Sequence, residues 1–145
     1  MSKLKVSFDC DGTLLHRVAV QDYCRKLLAD KDVEVHITTR RYGPDFHGNT
    51  EDSWWCNHGS KNWEEVFEFT DSLGIPRDRI VFLNMTPKAD FFIDKNFLWH
   101  LDDERLEIDE INENCSTRCV DVKCTMWETT CSTLIDNRRD IGNYK

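Results

Sequence analysis

Leu4–Leu15 reads LKVSFDCDGTLL, and the fold turns on how this stretch is read. Its first five residues alternate apolar and polar side chains, the period of a strand, and the acidic, glycine-bearing DCDGT that follows reads as a turn at the carboxyl end. Outward from it, Val20, Tyr23, Cys24, Leu27 and Leu28 form an apolar stripe at helical spacing, which predicts an amphipathic helix over Val18–Lys31. Val33–Ile37 (VEVHI) is a second strand, stopped by Thr38-Thr39-Arg40-Arg41. Tyr42–Lys61 is then irregular, with Gly43-Pro44, Gly48-Asn49 and Gly59-Ser60 as turn signals. A segment that long without periodicity is usually functional or disordered, and its His47, Trp54, Trp55 and His58 are unlike a disordered composition.

Further on, Asn62 or Ser60 can cap a helix that buries Trp63, Val66, Phe67 and Thr70 and ends at Gly74-Ile75-Pro76. Ile80–Leu83 (IVFL) is a continuous apolar run of the kind buried in a parallel sheet. Lys88–Lys95 reads as a short helix with Phe91 and Phe92 inward, and Phe97–Leu101 as a fourth strand ending at Asp102-Asp103. Glu104–Glu113 is helical through Leu106 and Ile111, Cys119–Lys123 is a fifth strand, and Met126–Lys145 shows no clean period, with Trp127 as its anchor on the sheet. Strands and helices therefore alternate, which predicts an α/β fold: one Rossmann-like domain over residues 1–145 with a mostly parallel, five-stranded sheet joined by right-handed crossovers.

Composition limits the partners. Of 145 residues, 27 are Asp or Glu and 19 are Lys or Arg, so a net charge of −8 removes the basic footprint of a protein that holds nucleic acid by charge alone. No apolar run reaches the ~20 residues of a membrane span. The start, MSKLKVSFDC, does not read as a signal peptide, which makes the expected location cytoplasmic and the thiols reduced. Four late cysteines (Cys115, Cys119, Cys124 and Cys131) lack the CxxC spacing of a structural zinc site and read as ordinary packed or exposed thiols. His36 and His100 read as packing residues within strands.

The chemistry gathers at strand ends, where open α/β sheets bind ligands. The first strand ends in Asp9-Cys10-Asp11-Gly12-Thr13, the second in Thr38, and the fourth in Asp102-Asp103, while Lys88 opens the helix after the third. Carboxylates converging in a partly desolvated cleft repel one another, and a hard divalent cation with oxygen ligands relieves this; Mg²⁺ suits a site that also takes phosphate. The bland alternatives are an acidic turn, a strand that simply ends in Thr, and an acidic pair at a helix N-terminus.

The stretch VSFDCDGTLL resembles the DxDGT signature of the haloacid-dehalogenase superfamily of phosphotransferases. Thr38, Lys88 and the Asp102-Asp103 pair follow in that superfamily's order, so the resemblance covers residues 4–103, about two thirds of the chain. It implies a haloacid-dehalogenase-like fold, with Asp9 as the nucleophile that forms an aspartyl-phosphate and Asp11 as the acid and then the base. It also implies Gly12, Thr13, Thr38, Thr39 and Lys88 around the phosphoryl group. Mg²⁺ would be held by Asp9, the backbone carbonyl of Asp11, Asp102 and, as a helper, Asp103. Lys95 also precedes the acidic pair, so the lysine is a choice between two, with Lys88 favoured after Pro87 at a helix start.

Members of that superfamily often carry a cap domain. Here residues 12–37 have room for a turn and a helix, and much of 39–87 is used by a helix and a strand, so no full cap fits. The segment 42–61 remains as a candidate substrate-specificity loop, with Arg40 and Arg41 at its base able to meet phosphate. Trp54 and Trp55 either stack on a substrate ring or fold back onto Trp63. Motif order and this loop are also similar to the phosphatase half of polynucleotide kinases. The expected activity is therefore that of a Mg²⁺-dependent phosphomonoesterase, with a nucleotide or nucleic-acid end among its candidate substrates. The alternatives are a phosphatase of a small metabolite or phosphoprotein, another hydrolase or phosphotransferase on the same fold, and a non-catalytic binding domain. The oligomeric state is not legible.

Overall fold

The computed structural model describes residues 3–45 and 62–143. Among them β1 (Leu4–Phe8), β2 (Val33–Thr39), β3 (Ile80–Phe82), β4 (Trp99–Asp102) and β5 (Arg118–Asp121) form one sheet in the order β3-β2-β1-β4-β5. Every pairing is parallel, where the sequence predicted a mostly parallel sheet. The helices are α1 (Val18–Leu28), α2 (Asn62–Leu73), α3 (Lys88–Phe92), α4 (Arg105–Asn114) and α5 (Trp127–Asn143). This is a Rossmann-like α/β domain. None of its described helices is long and apolar enough to cross a membrane.

β1 lies at the centre because both of its faces are needed. Val6 and Phe8 are fully buried in the large apolar cluster with Val20, Tyr23 and Leu27 of α1, Val66 of α2, and Cys131 and Ile135 of α5. Trp99 of β4 seals this layer, edge-on to Phe8 with ring centres 5.4 Å apart and stacked on Tyr23 at 6.4 Å. The second cluster is smaller: Phe92, Phe97, Ile108, Ile111 and Cys119, supplied mainly by α3 and α4. Between it and the sheet runs a buried polar row made of Ser7, Thr38 and His100.

Several boundaries differ from the sequence reading, each for a local reason. α1 stops at Leu28 rather than Lys31, because Asp30 closes a turn by accepting the backbone N–H of Asp32 at 2.9 Å on its side chain. α2 ends as read: Gly74 takes φ +83° and the Ile75 N–H reaches back to the Thr70 carbonyl. α3 stops at Phe92, short of Lys95. In α4 the inward residues are Glu107, Ile108 and Ile111, whereas Leu106, expected inside, is 61 % exposed. Met126–Lys145, read as aperiodic, contains the seventeen-residue helix α5. Its inner stripe of Trp127, Cys131, Leu134 and Ile135 has helical spacing, but it is thin among charged residues. Trp127 does anchor it, edge-on to Tyr23 at 5.5 Å.

The connections run outward from β1 to β2 and β3, then return to β4 on the other side of β1. Loops leaving β1 and β4 therefore diverge and leave a crevice at the carboxyl ends of these strands, the place where open α/β sheets bind ligands.

Candidate active site

A cleft of about 360 Å³ opens at that crevice, lined by Asp9, Asp11, Gly12, Thr39, Arg40, Arg41, Met85, Lys88 and the acidic residues Asp102, Asp103, Glu104 and Glu107. Asp9 follows β1 directly, its N–H still paired with the Leu101 carbonyl at 2.9 Å, so the strand ladder fixes where its carboxylate begins. The chain then coils through Cys10–Leu14, with Gly12 at φ +74°. A side chain at Gly12 would be strained by that φ and would have to displace the Asp103 carboxyl. Arg17 pins the turn by donating from Nε to the Gly12 carbonyl at 2.9 Å.

At the floor, Lys88 Nζ donates to Asp9 Oδ1 at 2.7 Å and to Asp102 Oδ2 at 2.5 Å. Lys95, the other candidate, pairs with Asp94 on the surface. Burial pushes the Asp9 carboxyl well up, against the pull of Lys88, and the nearby Asp102 charge adds to the rise. Asp102 goes the other way: burial would raise it, but His100 and Lys88 hold it well below the usual carboxylate range. Lys88 is raised despite its burial, because two carboxylates face its ammonium. Carboxylate oxygens of Asp9, Asp102 and Asp103 come within 4.8 Å of one another. An all-oxygen donor set of this kind suits a hard divalent cation, and an ammonium already draws two of its three members together.

On the opposite wall the Asp11 carboxylate is gripped by Arg41, through Nε at 2.9 Å and Nη2 at 2.6 Å, and the same Nη2 reaches Glu65 Oε1 at 2.6 Å. Burial would raise Asp11, but the Arg41 guanidinium outweighs it and holds the carboxyl below its ordinary value. The Asp11 side chain thus stands apart from the Asp9–Asp102–Asp103 cluster; only its backbone carbonyl was implicated in metal binding by the sequence resemblance.

Not every expected phosphate contact reaches the cleft. Thr39 lines it, but the Thr38 hydroxyl lies beneath, 2.7 Å from Ser7 Oγ. Thr13 is also buried, and its hydroxyl donates to Asp9 Oδ2 at 3.1 Å, orienting the carboxylate from below. Arg40 lines the cleft but is engaged by Glu107 Oε1 and the Met85 carbonyl, both at 2.9 Å. Glu107 escaped the sequence reading: buried, it also accepts the Lys88 backbone N–H at 3.0 Å, and so caps the helix that presents Lys88. No signal short of the fold marks it, since an acid on an acidic helix is unremarkable. Trp54, Trp55, His47 and His58 lie outside the described residues, as does most of the 42–61 segment. His36 is used structurally, bonded to Glu34 at 2.7 Å and edge-on to Phe97.

No family model matches this chain, and no curated protein matches it significantly.

Proposed function

We propose that this chain is a Mg²⁺-dependent phosphomonoesterase that works through an aspartyl-phosphate on Asp9. The observation that carries the reading is the Asp9–Lys88–Asp102 bridge at the ends of β1 and β4, with Asp103 beside it and Asp11 across the cleft. A carboxylate with an ammonium on one oxygen and a hydroxyl on the other is fixed in orientation, as a nucleophile must be.

In this mechanism an Asp9 oxygen attacks phosphorus, the P–O bond to the alcohol breaks, and Asp11 gives its proton to the departing oxygen. Asp11 then takes a proton from water as that water attacks the aspartyl-phosphate, which releases inorganic phosphate and restores Asp9. Lys88 neutralises phosphoryl charge throughout. Arg41 links the two stages: held now by Asp11 and Glu65, its guanidinium would turn to the phosphoryl oxygens and free the Asp11 carboxyl to accept a proton. Asp9, Asp102 and Asp103 would hold Mg²⁺ once the Lys88 ammonium gives up its place on Asp102 Oδ2, and the ion would supply positive charge for the phosphoryl oxygens.

The substrate class we propose is a nucleotide or nucleic-acid end, supported by two arginines on a cleft that no cap domain covers among the described residues. The compartment we propose is the cytoplasm; all six described cysteines are free. The test is hydrolysis of an aryl phosphate with Mg²⁺ or with EDTA, for the native chain and Asp9→Asn. Mg²⁺-dependent turnover that disappears in the variant is expected, and turnover equal in both proteins overturns the mechanism. Nucleotides, 3′-phosphorylated oligonucleotides, sugar phosphates and phosphopeptides then rank the substrate.

A further inference from the structure

The polar row under the cleft is one connected chain. Thr38 Oγ1 lies 2.7 Å from Ser7 Oγ, Ser7 Oγ lies 2.9 Å from His100 Nδ1, and His100 Nε2 lies 2.8 Å from Asp102 Oδ2. These residues belong to β2, β1 and β4, three neighbouring strands, with Ser7 and His100 directly paired in register. All four are 0 % exposed, so no solvent competes for their hydrogen bonds. Phe92 closes the row from outside, its ring 5.0 Å from the imidazole.

Donor counting gives the row a direction. An ionised carboxylate only accepts, with about two sites per oxygen. Asp102 Oδ1 takes the N–H groups of Asp103 at 2.8 Å and Glu104 at 3.1 Å. Its Oδ2 takes the Lys88 ammonium and His100, so Nε2 of His100 must carry a proton. In a neutral ring Nδ1 is then bare and must accept. The Ser7 hydroxyl then donates to Nδ1, and its oxygen receives the Thr38 hydroxyl.

We infer that His100 is a positioning residue: Thr38 and Ser7 hold its ring at the Nδ1 edge, and its Nε2–H holds the Asp102 carboxylate against rotation where Lys88 and the cleft need it. This gives the Thr38 hydroxyl a use that does not require it to touch substrate. It also makes the orientation of Asp102 depend on β1 and β2 as well as on β4. A histidine present only to fill the sheet face would need neither a defined tautomer nor a particular nitrogen towards Asp102.

Two measurements decide it, and only the second rests on the metal site proposed above. Nitrogen-15 NMR of the metal-free protein near neutral pH, with His100→Gln assigning the resonance, should show His100 carrying a proton on Nε2. A proton on Nδ1 with none on Nε2 overturns the inference. The second is calorimetric titration with Mg²⁺. His100→Gln sets an amide donor near the old Nε2 position, whereas His100→Asn sets one near Nδ1, within reach of Ser7 but not of Asp102. The Asn variant should bind Mg²⁺ about 10–100-fold more weakly, and the Gln variant within a few-fold of the native chain. Equal losses in both, or none in either, overturn the positioning role. Absence of Mg²⁺ binding by the native chain would instead reject the proposed metal site, and the Nε2 proton would still decide His100.

Discussion

Lys88 lies between Asp9 and Asp102, and Arg41 lies between Asp11 and Glu65, so on each wall of the cleft a cation bridges two carboxylates. The difference is water. The side chains of Asp9 and Asp102 are 8 % and 1 % exposed, those of Asp11 and Glu65 50 % and 51 %. In the dry triad two carboxylates face one ammonium, so removing the cation strands charge that solvent does not screen. In the wetter triad the two carboxylates can return to solvent, although the Arg41 side chain is itself only 15 % exposed, and their pairing is the more exchangeable of the two. The proposed chemistry uses the contrast: the nucleophile sits in the rigid triad, and the acid–base residue in the one that can let go.

The largest effect should come from Asp9→Asn, which removes the attacking oxygen and should lower kcat by about 10⁴-fold or more. The same change should raise the melting temperature in EDTA. The folded Asp9 carboxyl is raised above its unfolded value, so its stabilising contribution is full only below the unfolded value near pH 4 and is lost as pH rises through the folded one. Above the folded value the ionised group is therefore a cost that Asn removes. A lowered melting temperature would break the dry-triad account.

Lys88→Met should destabilise by about 3–5 kcal/mol in denaturant unfolding, because Asp9 and Asp102 would then face each other unpaired. The loss should shrink as pH falls and Asp9 takes a proton. A loss below about 1 kcal/mol would move Lys88 into the class of surface cations.

Asp11→Asn should leave the fold intact while reducing kcat by about 10²–10⁴-fold on alkyl phosphates, and less on aryl phosphates, whose leaving oxygens need little protonation. A loss independent of the leaving group would remove Asp11 from the acid role. The smallest effect belongs to Glu65→Gln, at most about 1 kcal/mol and fading with added salt, since Arg41 keeps Asp11. Melting curves at low and high ionic strength measure it, and a large, salt-independent loss would erase the contrast between the two triads.

Much of this architecture is local and could be read from residue order. Alternation in LKVSF, the glycine turn after it and the stripe along α1 are properties of neighbours within one or two turns, and they set the strand–helix order of an α/β domain. Gly12 was legible for the same reason, since a turn that tight needs a positive φ. The thin stripe of α5 was not, because four apolar residues among charged ones give too little contrast to stand out before the sheet is there to bury them. The site divides along the same line. Sequence order nominated Asp9, Asp11, Thr38, Lys88 and Asp102, with Thr39 beside Thr38 and Lys95 as a rival to Lys88. Tertiary structure decided where these side chains lie: α3 brings Lys88 to within hydrogen-bonding distance of two strand ends, and the sheet turns Thr38 to Ser7 and Thr39 to the cleft. Glu107, and His100 as a partner of Asp102, emerged only there as well. The physical reason is that a buried charge is defined by what surrounds it in space. Lys88 and Asp9 are far apart in the chain, and only the packing of α3 against the sheet makes them a pair.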